Sequence, residues 1–149
     1  MEKFMFAALK EAQKALAKDE VPIGAVIVLD GKIIARAHNQ RQSKKIATHH
    51  AEILAIEKAC KKLNDWRLEN AEIYVTLEPC PMCAGAIANA RIKKLYFGAF
   101  DKTGTNKNLL VDILSDNRLN HKTEVQGGIL EAPCAEILTT FFKNKRNKK

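Results

Sequence analysis

The chain alternates between two hydrophobic periods. In the first twenty residues Ala8, Leu9, Ala12 and Leu16 recur at three- and four-residue spacing, which predicts an amphipathic helix over residues 4–18. The pattern then changes. Residues 23–29 form an apolar, β-branched run, Asp30-Gly31 follows, and residues 32–37 resume, which predicts a β-hairpin whose tight turn uses the positive φ that Asp-Gly tolerates. Helical spacing returns with Ile53, Ile56, Cys60 and Leu63, giving a second helix over residues 49–63 with Thr48 as its expected cap. Residues 73–77 read as a buried strand. Pro81 suits the first position of a third helix reaching residue 90, residues 95–99 make a further strand, and residues 124–129 offer a fifth. Pro133 opens a last helix through Phe142. Strands alternating with helices predict a three-layer α/β/α sandwich, a mixed sheet of about five strands with helices on both faces.

No internal repeat, low-complexity stretch or linker interrupts residues 1–149, so the expectation is one domain, with a basic C-terminal tail from about 143 to 149. The composition, 46% hydrophobic and 28% charged, is that of a soluble globular protein. No apolar run is long enough for a membrane helix and no secretory signal is visible, which leads to an expected cytoplasmic address and no membrane partner. In that compartment four cysteines read as ligands or core residues rather than a disulfide framework.

The formal charge of +8 favours polyanionic partners. Lys143, Lys145, Arg146, Lys148 and Lys149 crowd the end of the chain directly after Phe141-Phe142. Cations beside aromatic rings can hold phosphates and stack bases, which makes Phe142, Lys143, Lys145 and Arg146 candidate RNA contacts. An apolar helix face would equally bury one of the two rings, and both uses are compatible, one ring each.

Chemistry is concentrated in His50-Ala51-Glu52 and Pro79-Cys80-Pro81-Met82-Cys83. An imidazole and two thiolates make a three-ligand zinc set, which leaves the fourth tetrahedral position for water, whereas structural zinc sites are closed by four ligands. Both halves fall at predicted helix starts, where partial positive charge favours thiolate. Taken singly each element has another use: Cys-x-x-Cys serves thioredoxin-like redox pairs as readily as metals, and a lone histidine or first-turn glutamate is commonly a surface group. The combination points to metal catalysis. Spacing leaves two matters open, which of His49 and His50 faces the metal, and whether Glu52, two residues on, shares its face.

His-x-Glu followed by Pro-Cys-x-x-Cys resembles the signature of the zinc-dependent nucleobase deaminases of the cytidine/deoxycytidylate deaminase superfamily. Further segments narrow the resemblance to the bacterial tRNA-editing adenosine deaminases. They include Val21-Pro22-Ile23-Gly24-Ala25-Val26, Asn39, residues 74–80, Met82-Cys83-Ala84-Gly85-Ala86, Phe97-Gly98-Ala99, Asn120-His121, Gly128-Ile129-Leu130 and Phe141-Phe142. The resemblance implies a cytidine-deaminase-like fold and one Zn2+ per subunit on His50, Cys80 and Cys83. It implies Glu52 as proton shuttle, and Asn39, Asp101 and Asn120 around the nucleotide. Hydrolysis of the wobble adenosine of a tRNA anticodon arm to inosine, by a homodimer, follows as the expected activity. Deamination of a free base or nucleotide, of guanine or dCMP type, is the alternative. Two stretches depart from the family pattern, Ile46-Ala47-Thr48-His49 before the zinc histidine and residues 102–108 after Asp101.

Overall fold

The computed structural model describes residues 1–102, 109–119 and 121–147. Five strands form one sheet in the order β2-β1-β3-β4-β5: β1 (Gly24–Leu29), β2 (Lys32–His38), β3 (Glu72–Leu77), β4 (Lys94–Ala99) and β5 (Glu124–Gln126). β1 pairs antiparallel with both β2 and β3, whereas β3–β4 and β4–β5 are parallel, so the sheet is mixed. The hairpin turn is the one the sequence dictates, with Asp30 at φ 52° and Gly31 at φ 76°.

The described residues form six helices: α1 (Glu2–Ala17), α2 (Arg41–Lys44), α3 (Ala51–Leu63), α4 (Pro81–Asn89), α5 (Leu109–Leu114) and α6 (Glu131–Asn147). The period-2 alternation of the strands explains the layers. Ala25, Ile27, Ile73, Val75, Leu95 and Phe97 point to the face covered by α3, α4 and α5. Val26, Val28, Tyr74 and Tyr96 point to the face covered by α1 and α6. Both faces are buried, so the central strands are apolar throughout, which is why they read as continuous runs.

Four expectations require correction. The second helix starts at Ala51 and its cap residue is His50, not Thr48; the extended backbone of His50 (φ −74°, ψ 155°) turns the imidazole inward, so no side chain caps this end. The fifth strand ends at Gln126. Gly128 and Ile129 still donate to the Gly98 and Phe97 carbonyls, but Gly128 at φ 86° breaks the pleat. The last helix begins at Glu131, two residues before Pro133, because first-turn N–H groups have no intrahelical partner and proline is tolerated there. It continues to Asn147, so the basic segment is a helical end as far as it is described. Two helices were not predicted at all. α2 buries no residue and α5 has six, so neither carries a readable apolar stripe.

This topology makes one end of the sheet the place for a site. β2, β3 and β4 all finish there and β1 begins there, so the segments around Val21, Asn39, Cys80 and Asp101 converge outside the carboxyl ends of parallel strands.

Candidate active site

His50 and Cys80 occupy equivalent places, the cap residues of α3 and α4, each with extended backbone and neither with a side-chain capping bond. Pro81 opens α4 with fixed φ, which sets Cys83 on the first turn beneath Cys80. His50 Nδ1 lies 3.8 Å from Cys80 Sγ and 3.6 Å from Cys83 Sγ, and the three donor atoms all lie within 4.8 Å of one another. With Zn–S of about 2.3 Å and Zn–N of about 2.0–2.1 Å, a tetrahedral ion separates N and S ligands by about 3.6 Å. The spacing and the soft donor set therefore fit zinc. Among the described residues this is the one His/Cys/Asp/Glu group so arranged. The histidine doublet is resolved by direction: His50 faces the thiols, whereas the buried Nδ1 of His49 has no hydrogen-bond partner among the described residues.

The thiol pair is polarised. A hydrogen bond from the Cys83 thiol, with a smaller contribution from His50, brings Cys80 down to about 4. The same bond to Cys80, together with burial, pushes Cys83 far up. His50 is raised, chiefly by its contact with Cys80. Cys80 is thus a thiolate at neutral pH, the form a metal takes.

Glu52 is 4% exposed at the second position of α3. Its side chain reaches the Cys83 thiol, and burial raises its pKa above the ordinary carboxylate value. Helical spacing could not put Glu52 with His50; the cap geometry does, because His50 lies outside the helical turn and its side chain swings back across the helix start. Beside this group is a cavity of about 180 Å³ lined by Val21, Ile23, Asn39, Arg41, Gln42, His50, Ala51 and Glu52. Asn39 is buried, donating through Nδ2 to the Val21 carbonyl at 3.3 Å and accepting the Arg41 N–H through Oδ1 at 3.1 Å.

Comparison with known proteins identifies the family. A family model for MafB19-like deaminases matches residues 1–146. The tRNA-specific adenosine deaminase of Bacillus subtilis is 53% identical over 148 residues, covering 99% of this chain and 92% of that protein. The chain belongs to the tRNA-specific adenosine deaminase family. The fold agrees: a solved structure from work on A-to-I editing by tRNA:A34 deaminases at the wobble position superposes with TM-score 0.86 at 48% identity, covering 93% of this chain and all of the other. A guanine deaminase from Bacillus subtilis is similar over a shorter span, with TM-score 0.65 and 43% identity over 66% of this chain and 64% of that one.

Around this deaminase centre the other expected residues fall in two places. Asp101 is half-buried, donates its N–H to Glu78 Oε1 at 2.9 Å, and lines a second cavity of about 240 Å³ with Phe100, Lys102 and Phe142. Val21 borders both cavities, so they adjoin. Asn120, and residues 103–108 of the second departure, lie outside the described residues. Phe141 is buried (6% exposed) and Phe142 is not (48%), their rings edge-on at 5.3 Å. Lys143 and Arg146 are exposed, while Lys145 donates to Asp19 Oδ2 at 2.6 Å and lies 5.7 Å from the Phe141 ring.

Among the lining residues that escaped the sequence are Phe100, Arg41 and Gln42. Phe100, 48% exposed and edge-on to Phe97 at 5.0 Å, follows a predicted strand; an exposed aromatic there was a usable signal. Arg41 and Gln42 carried none, because their helix has no apolar pattern.

Proposed function

We propose that the chain deaminates the wobble adenosine of a tRNA anticodon loop, taking up water and releasing inosine and ammonia. Supporting this is a buried glutamate beside an imidazole and two thiols at zinc spacing, in a chain of the tRNA-specific adenosine deaminase family. His50, Cys80 and Cys83 would hold one zinc ion per subunit. A zinc ion in such a place is a Lewis acid that lowers the pKa of water from about 16 to about 7.

Glu52 does the proton work. Its carboxyl, raised above the ordinary pKa by burial, takes a proton from the attacking water and passes it to adenine N1; it then takes the proton of the new C6 hydroxyl and delivers it to the amine, which leaves as ammonia. The 180 Å³ cavity is of a size for one flipped base, and an unstacked loop nucleotide is the cheapest to deliver there. Asn39 borders the base or ribose, its amide fixed by Val21 and Arg41. Asp101 lines the adjoining cavity, where Phe100 and Phe142 offer rings to a neighbouring base. Asn120 is proposed alongside them from its sequence position. Lys143 and Arg146 are free to meet phosphates; Lys145 would do so by leaving Asp19.

The remaining features of the reading are a single domain over residues 1–149, a homodimer and a cytoplasmic location. Among the described residues no helix is long and apolar enough to cross a membrane. A second reading, free-guanine deamination, draws on the 43% identity to the Bacillus subtilis guanine deaminase. Incubating the protein with an anticodon stem-loop bearing a wobble adenosine, alongside free adenosine and guanine, separates them. Inosine in the stem-loop, with a rate falling steeply as salt rises, is expected. Guanine turnover without stem-loop conversion would overturn the proposal.

A further inference from the structure

Glu20 lies between α1 and β1, outside the residues given chemical roles above, yet it is fully buried, at 0% exposure. An ionised carboxylate removed from water is very costly unless its oxygens are matched. Both are. Glu20 Oε1 accepts the Gln42 N–H at 3.0 Å and Oε2 accepts the Ser43 N–H at 2.5 Å. The backbone of Glu20 is itself tied to the end of α1, its N–H donating to the Ala15 carbonyl at 3.0 Å. Burial alone would raise the carboxyl, but the bonds from Ser43 and Gln42 outweigh it and hold the pKa below the ordinary value, so the group is charged at neutral pH.

The segment these bonds secure has little else to hold it. Arg41 to Lys44 bury no side chain, and no side chain of their own loop caps the short helix. Lys44 and Ile46 donate back to Gln40 and Arg41 within the loop, and Gln40 N–H to His49 O closes its neck. Among the described residues the other tie from residues 41–43 toward the body is the Arg41 N–H to Asn39. Yet Arg41 and Gln42 are one wall of the cavity that also contains Asn39, His50 and Glu52.

We infer that Glu20 is a positioning residue, which by receiving the Gln42 and Ser43 N–H groups holds the Arg41–Gln42 wall against the target nucleotide. The inference rests on the deaminase reading above and deepens it: binding strength at the zinc site is set in part by a carboxylate that touches neither metal nor substrate.

Two substitutions test it. Glu20→Gln turns an amide N–H toward one of the two backbone N–H groups, donor against donor. Glu20→Asp keeps the charge but shortens the side chain by one methylene, drawing the carboxylate back from the Gln42 and Ser43 N–H groups. For each variant, zinc content and folded fraction are measured first, then KM and kcat on the wobble-adenosine stem-loop. The expected result is KM raised about 10- to 100-fold, with kcat per zinc-loaded molecule changed much less. A purely structural role lowers the active fraction and leaves KM alone, and unchanged KM in both variants would overturn the inference. Amide exchange distinguishes failure here from failure of the deaminase reading. If the unsubstituted protein makes no inosine, that reading falls. The positioning role is then judged from Gln42 and Ser43 N–H groups, expected to be protected and to exchange at least about tenfold faster in Glu20→Gln. Absence of protection in the unsubstituted protein overturns it.

Discussion

The two faces of the sheet are both close-packed, but only one carries the chemistry. On the α3/α4/α5 face Ala51, Ala55 and Ala59 from α3 and Ala84 and Ala88 from α4 are buried beside Ile87, Leu110 and Leu114. On the α1/α6 face α1 also buries alanines, Ala7, Ala8, Ala12 and Ala15, together with Met5. There Tyr74 and Tyr96 stack at 4.4 Å, and Phe4 tilts onto Tyr74 at 5.3 Å. Added volume in either layer forces side chains or backbone to shift. His50, Glu52, Cys80 and Cys83 all lie at the starts of α3 and α4, so a shift on the first face moves the site and one on the second does not.

Substitutions can break this comparison. The largest effect is expected at Glu52. Glu52→Ala should lower kcat at least about 10²–10⁴-fold while zinc content and melting temperature stay close to those of the unsubstituted protein, read by metal analysis and calorimetry. Retained activity would remove the proton-transfer role. Next is the α1/α6 face. Met5→Ala opens a cavity and should cost about 2–5 kcal/mol in denaturant unfolding, with kcat of the folded fraction unchanged. A smaller loss of stability, about 1–3 kcal/mol, is expected for Ala55→Leu, since the fully buried alanine has no room for the added carbons. Unlike Met5→Ala, it should also impair turnover, because lifting α3 moves His50 and Glu52. Equal kinetic behaviour of the two variants would show that the faces do not differ in the way described. The mildest test concerns Phe142, where the α1/α6 layer reaches the second cavity. Phe142→Ala should weaken stem-loop binding by about 1–3 kcal/mol without changing turnover of a free nucleoside, measured as KM on both substrates.

How far the sequence led can be judged from particular residues. The hairpin at Asp30-Gly31 and the strands around Val75 and Phe97 were legible because short apolar runs and a positive-φ turn are local signals. The grouping of His50, Cys80 and Cys83 was legible because Cys-x-x-Cys and His-x-Glu sit at helix starts. Thr48 misled because it satisfies the capping preference; the cap position went to His50, whose side chain is needed inside. The short helix at Arg41 was invisible because it buries nothing. Its stabilising partner, Glu20, is more than twenty residues away and looked like one more acid before a proline.

Local periodicity and residue type determined the layers, the strands, the four longer helices and the chemistry of the candidate ligands, since each depends on neighbours within a turn or a pleat. Three matters belonged to the tertiary structure. The inward turn of His50 rather than His49, the burial of Glu52 against Cys83, and the clamp from Glu20 to the loop at Gln42 all depend on contacts between distant segments. Direction and burial at a site follow from which elements meet there. No local pattern encodes that meeting.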